Sequence, residues 1–165
     1  MKSMIQSFLL VVLIILLGGC ASEPRIQIYP GIDVCHTCNM NIDQVNHASG
    51  MVVSGEFLTY DSPKCMLRHI ESLPESFVVR SSDIYLADYN TSALASADSM
   101  VMVLTNHVPT VMNGQVVCFS SQEAAESFSE YDDEIITDWV GFQTLRGKPD
   151  LIVEAALSPT GMLPD

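Results

Sequence analysis

Gly55-Glu56-Phe57-Leu58-Thr59-Tyr60-Asp61-Ser62 is answered 59 residues later by Gly114-Gln115-Val116-Val117-Cys118-Phe119-Ser120-Ser121. Each stretch opens on a glycine, runs through apolar residues and leads into a helical pattern. In the first, Met51-Val52-Val53 and a Ser-Gly turn stand before Phe57-Leu58-Thr59-Tyr60, the signature of a hairpin. After Asp61-Ser62-Pro63, residues Met66, Leu67 and Ile70 share one face at helical spacing, and Pro63 suits a first turn. In the second, Ser120 or Ser121 is placed to cap a helix. Glu123 and Glu126 lie near its positive end, and Ala124, Ala125 and Phe128 fall on its buried side. Both halves therefore read as strand, turn, strand, helix, which predicts an α+β chain of two small related ββα-type lobes.

Upstream of the hairpins the match continues at an offset of 72, because the first unit carries a longer insert. Cys35-His36-Thr37-Cys38-Asn39-Met40 then faces His107-Val108-Pro109-Thr110-Val111-Met112. A pseudo-twofold arrangement would bring Met40 and Met112 to related positions; coincidence is the competing account of so short a repeat. Phe77 to Val79 and Ile84 to Ala87 read as further strands, and residues 88–99 as a connection with one helical turn. Ile26 to Tyr29 reads as a strand or part of a tether. Asp138-Trp139 and a last segment containing Leu151-Ile152-Val153 supply another strand.

Composition bounds the function. The 165 residues are 48% apolar and carry 7 basic against 20 acidic side chains. That length builds one core, which excludes a large multidomain enzyme. The apolar share excludes a disordered acidic tail, and a charge of −13 argues against gripping nucleic acid. Phe8 to Leu17 is an unbroken apolar run of ten behind Lys2, too short to span a bilayer but suited to a secretory signal peptide over 1–19. Leu17-Gly18-Gly19-Cys20 resembles the bacterial lipobox, which implies a lipidated Cys20 and a tether over 20–30. An ordinary signal peptide followed by a structural cysteine is the alternative. Cleavage leaves six basic and twenty acidic residues, a formal charge of −14.

Sulfur is the chemical surplus, with nine methionines and five cysteines. Cys35 and Cys38 sit on a Cys-x-x-Cys turn that aims two sulfurs at one volume, and Met40 adds a thioether. As a redox pair they need a following helix, and Asn39, Asn41 and Asp43 suggest none. As a zinc knuckle they need two more ligands, for which Cys65, Cys118 or a histidine is available. As a copper site they need soft donors, and thioether suits Cu(I) better than Zn²⁺. An exported chain with four further cysteines is equally expected to form disulfides. Met51, Met66, Met100 and Met102 read as packing, Cys118 as a buried small hydrophobe, and Cys65, beside Lys64, as a thiol of lowered pKa. His36 and His107 are possible additional ligands, as is Cys65; His47 and His69 have weaker claims. Asp132-Asp133-Glu134 reads as a solvated turn. The motifs of hydrolases, metalloproteases and phosphate loops are absent, so no catalytic set emerges.

Taken together, Cys20, the 35–40 segment, Tyr60-Asp61-Ser62-Pro63-Lys64-Cys65-Met66-Leu67, and Pro109 to Met112 through Phe119 to Phe128 resemble the NosL family in order and spacing. The resemblance implies a domain over 31–158 with lobes at about 31–88 and 100–158, a tail at 159–165, and a treble-clef-like topology akin to organomercurial lyase. It implies Cu(I) carriage and no enzyme activity, with Cys38 and Met40 as ligands and Met112 as a third candidate, and Cys35 of the same Cys-x-x-Cys turn completes the expected metal site. It also implies lipid anchoring to a bacterial membrane on the periplasmic side, and partners in an ABC-type copper-centre assembly complex and nitrous oxide reductase. Asn39 stands where the family's Cys-Gly-Met has glycine; asparagine tolerates the left-handed turn that glycine adopts. The rival reading is an envelope lipoprotein whose Cys35-Cys38 pair is a disulfide, or a zinc knuckle completed by Cys65, without a copper role.

Overall fold

The computed structural model describes residues 24–74, 77 and 79–146. The segments expected to form a signal peptide, the lipidated Cys20, a strand at Leu151 to Val153 and a tail at 159–165 lie outside the described residues. The first lobe opens with β1 (Ser49–Val53) and β2 (Glu56–Tyr60), antiparallel about Ser54 and Gly55, which take φ of +52° and +83°. Positive φ at both central positions is what a tight two-residue hairpin needs, and it explains the Ser-Gly pair. β2 runs directly into α1 (Pro63–Ser72), whose N-cap Ser62 accepts the N–H of Cys65. β3 (Ile84–Ala87) then pairs along the free side of β1, and β4 (Leu94–Ser96) extends the sheet, giving the order β2-β1-β3-β4.

The second lobe retraces this path. β5 (Val101–Leu104) pairs with β6 (Val116–Phe119), which leads into α2 (Gln122–Phe128) capped by the Ser121 hydroxyl. β7 (Ile135–Thr137) returns to the other side of β5, so the order is β6-β5-β7, and α3 (Trp139–Arg146) follows. In both lobes the first strand is flanked by its hairpin partner and by the strand that follows the helix. The sequence echo is therefore an echo of topology. Tyr60 and Phe119, equivalent at the offset of 59, both end their strands and are both fully buried.

Alternation along the strands explains the core. Met102, Leu104, Val116 and Cys118 face Met51, Tyr60, Met66 and Leu86 of the first lobe, together with Trp139, Phe142 and Leu145 of α3. Val103, Val117 and Phe119 face the opposite way, onto Ala125 of α2, with Tyr89 and Phe128 against them. The second sheet is thus covered on both faces, which is why its strands read as nearly continuous apolar runs. Burying each large side chain contributes about 1.5–3 kcal/mol. Met51, Met66, Met100 and Met102 are all buried packing residues, and Cys118 is buried as expected.

Asp88 joins the lobes. Its Oδ1 accepts the N–H groups of Asn90 and Thr91 and the Thr91 hydroxyl, while its Oδ2 accepts the N–H of Ser120 at 2.7 Å. Next to it, the Tyr89 N–H donates to the Cys118 carbonyl at 2.7 Å. Burial would raise the Asp88 pKa, but the bonds from Ser120 and Thr91 outweigh it and hold the carboxyl below its ordinary value.

Several expectations need correction. Phe77 and Val79 are not in a strand; the Phe77 N–H closes a turn onto the Pro74 carbonyl at 2.8 Å, and the ring is exposed. Residues 88–99 contain β4 as well as a 3-10 turn, because the Asp88 turn, with Ser92 at φ +61°, reverses the chain onto β3. Trp139 opens a helix instead of a strand: Asp138 Oδ1 accepts the Gly141 N–H at 2.8 Å, and the adjoining strand is Ile135–Thr137. Ile26 to Tyr29 forms no strand, and Ile28 is buried in the main core.

Candidate metal centre

Residues 31–42 fold into a knuckle. Gly31 N–H donates to the Ile42 carbonyl and Ile42 N–H to the Asp33 carbonyl, both at 2.9 Å, and Val34 bridges Asn41. At the tip, Cys35 N–H bonds the Met40 carbonyl at 2.8 Å and Asn39 N–H bonds the Cys35 carbonyl at 2.9 Å. Asn39 takes φ +60°, the left-handed conformation its tolerance allows. The knuckle docks through His36 N–H to the Thr59 carbonyl, Thr59 hydroxyl to the Val34 carbonyl, and Thr37 hydroxyl to the Cys65 carbonyl, at 2.8, 3.1 and 2.8 Å. These bonds hold the tip over the first turn of α1.

The consequence is a four-donor cluster. The Sγ atoms of Cys35, Cys38 and Cys65 and a carboxylate oxygen of Asp61 all lie within 4.8 Å of one another. Knuckle, hairpin and helix start converge in treble-clef order. Cys35, Asp61 and Cys65 are buried, and Cys38 is partly open. The Cys38 thiol donates to Asp61 Oδ2 at 3.1 Å, and the Ser62 hydroxyl donates to Asp61 Oδ1 at 3.1 Å.

The surroundings of Cys38 and Cys65 favour the protonated thiols. Burial pushes Cys38 up to about 11, with Asp61 and Cys35 adding to the rise and a backbone bond at Met40 opposing it. Cys65 is raised further, first by burial and then by Asp61 and Cys35. The expectation that Lys64 lowers the Cys65 pKa is therefore overturned: the Lys64 ammonium donates instead to the Asn113 carbonyl at 2.9 Å. A bound metal ion would replace the protons as the positive charge in this pocket.

A shallow cleft of about 120 Å³ opens beside the cluster, with Met40, Asp43, Asp61 and Val111 among its lining residues. Met40 is 48% exposed, and Met112, the residue after Val111, is 39% exposed. Met112 has φ +55° within the 3-10 turn Val111–Asn113, and a Cβ at Gly114 would stand 3.9 Å from the Cβ atoms of Ser62 and Lys64. The Met112 turn of the second lobe thus rests on the start of α1, beside the cluster of the first.

The histidines lie elsewhere. His36 is exposed and its ring stands 4.6 Å from that of His69, whose Nδ1 bonds the Tyr60 hydroxyl at 2.6 Å. His36 is not among the donors that converge with the three sulfurs. His107 Nε2 bonds Asp133 Oδ1 at 2.7 Å and stacks on Tyr131, so Asp133 and Glu134 are structural participants in their turn. Asp61 is the donor that sequence reasoning missed. The available signal was an acid directly before a Ser-Pro helix start, four residues ahead of a cysteine.

The NosL family model matches residues 29–134. Among solved structures, the crystal structure of the copper chaperone NosL from Shewanella denitrificans aligns with a TM-score of 0.55 at 18% identity, covering 70% of this chain and 92% of that one. At that identity the likeness is one of fold. No curated protein matches.

Proposed function

The chain belongs to the NosL family, and on that premise we propose that it is a copper-binding chaperone that carries Cu(I) without catalysis. The observation that carries the reading is the placement of soft donors at an open edge. Cys38 is the accessible thiol of the cluster, Met40 lines the adjoining cleft, and Met112 stands in the neighbouring turn. Thiolate and thioether are the ligands Cu(I) prefers. Exposure matters as much as softness, because a carrier must release its ion by stepwise replacement of ligands. The solved copper chaperone of the same fold from Shewanella denitrificans supports the same assignment.

Location and destination complete the proposal. The lipobox-like Leu17 to Cys20 supports lipidation of Cys20 and anchoring to a bacterial membrane facing the periplasm. Tethering would concentrate the carrier near a membrane partner. Family resemblance points to an ABC-type assembly complex as that partner and to the copper-sulfur centre of nitrous oxide reductase as the destination. A strongly acidic surface suits a cationic cargo or partner.

Titration against a chromophoric Cu(I) chelator tests the site. Replacing both exposed methionines, Met40→Leu with Met112→Leu, is expected to weaken Cu(I) binding at least tenfold while leaving the fold intact. Unchanged affinity in the double variant and in Cys38→Ser would overturn the assignment.

A further inference from the structure

His36 of the knuckle and His69 of α1 bring two imidazoles together outside the group formed by the three sulfurs and Asp61, with ring centroids 4.6 Å apart. We propose that this pair is a separate metal site, which binds Cu(II) through one nitrogen of each ring and leaves the remaining positions to water. The site does not depend on the sulfur rim carrying Cu(I).

Spacing is the first ground. With metal–nitrogen bonds of about 2.0–2.1 Å, each ring centroid stands about 3.2 Å from the ion; two neighbouring imidazoles then place their centroids about 4.5 Å apart at a right angle and about 5.2 Å apart at the tetrahedral angle. The observed 4.6 Å matches the right angle. Right angles between ligands belong to the tetragonal geometry that Cu(II) prefers with nitrogen and oxygen donors. The rings are inclined by 42°, so they are not stacked flat.

Orientation is the second. The hydroxyl of Tyr60, a fully buried residue, bonds His69 Nδ1 at 2.6 Å. A bond at one ring nitrogen fixes the plane of the imidazole and leaves the other nitrogen, Nε2, for an ion, as outer partners do for metal-binding histidines. When Nδ1 carries the proton and donates it to the phenol oxygen, Nε2 holds the free lone pair. His36 is exposed, and its ring contacts are with His69 and Tyr60. Its backbone is anchored, since its N–H donates to the Thr59 carbonyl at 2.8 Å. One held ring and one adjustable ring can close on an ion without disturbing the fold.

Charge and donor type are the third. His69 lies in the last turn of the ten-residue α1, whose negative pole favours a cation. The chain as a whole carries a formal charge of −13. Imidazole suits divalent ions of intermediate softness, and among them Cu(II) binds most tightly. The thioethers of Met40 and Met112 suit Cu(I) instead. Nitrogen for the oxidised ion and sulfur for the reduced one thus stand at separate places on the same chain.

The full chain, purified in detergent, is titrated with Cu(II)–iminodiacetate at mildly alkaline pH; that chelate leaves two adjacent positions on the ion for incoming donors. Electron paramagnetic resonance should show one Cu(II) per chain, with two imidazole nitrogens in its echo modulation. His36→Ala, a change at an exposed residue, and His69→Ala should each weaken binding at least tenfold, and His107→Ala should leave it unchanged. Tyr60→Phe keeps both rings but releases Nδ1, and should weaken binding severalfold. Cys38→Ser removes the accessible thiol and should give the natural spectrum. Cu(II) held by one imidazole or none, undiminished affinity in His36→Ala, or binding lost in Cys38→Ser would overturn the site and leave the two rings as packing. A chain that binds Cu(II) but no Cu(I) would leave this site standing and sink the reading of the sulfur rim instead.

Discussion

The Lys64 ammonium donates to the Asn113 carbonyl at 2.9 Å, tying the first turn of α1 in one lobe to the Met112 turn in the other. The bond holds the turn that carries Met112 against the helix start that carries Cys65. Lys64→Met keeps the alkyl stem and removes the donor. It is expected to lower Cu(I) affinity severalfold, measured by chelator competition, with the thermal midpoint nearly unchanged. Equal affinity in variant and natural protein would show that the Met112 turn needs no such tie.

Asn39 holds φ +60° at the tip of the knuckle. Asn39→Gly accepts that backbone freely and should preserve stability within about 0.5 kcal/mol. Asn39→Val forces a β-branched residue into the left-handed region and should cost about 1–3 kcal/mol, read as a lower urea midpoint and weaker metal binding. A Val variant as stable as the Gly variant would contradict the turn geometry.

Asp88 accepts four hydrogen bonds at the junction of the lobes while 3% exposed. Asp88→Ala strands the Ser120 and Thr91 donors and should destabilise the chain by about 2–4 kcal/mol in urea denaturation. The loss should fall on both lobes together, so near-ultraviolet and far-ultraviolet signals are expected to shift in parallel.

Stability should decline in acid in two stages. Burial lowers the His47 pKa below 6.5, and burial with the nearby His36 lowers that of His69. The unfolded chain therefore takes up protons that the native imidazoles refuse, and stability falls as pH drops below about 6.5. Asp88 acts lower down: its folded pKa lies below the ordinary 3.8, so its contribution is complete above that value and is lost as pH falls through the depressed one. Urea midpoints followed from neutral pH downward should show both stages, and Asp88→Asn should flatten the lower one. A midpoint independent of pH between about 7 and 5 would remove the histidine stage.

The repeat at an offset of 59 carried most of the fold, because period, turn chemistry and helix caps are local properties written in consecutive residues. Ser54-Gly55, Pro63 and Ser121 each specify a conformation that needs no distant partner. The misjudged elements were those decided by contacts. Phe77 and Val79 have strand-like side chains but pair with no strand among the described residues, and Leu94–Ser96 has a bland sequence but lies against β3. Trp139 is apolar enough for a strand, yet Asp138 caps a helix there.

The sequence alone determined the sulfur inventory, the Cys35-x-x-Cys38 turn, the left-handed tolerance of Asn39 and the ββα repeat. Tertiary structure decided which of those sulfurs meet. It brought Cys65 and Asp61 to the knuckle, turned His36 toward His69, and left Met40 and Met112 near the surface. The reason is that a metal site is a property of side chains converging from separate segments. Convergence follows from the docking bonds of His36, Thr37 and Thr59 and from the burial of the hairpin beneath them, and no spacing along the chain encodes it.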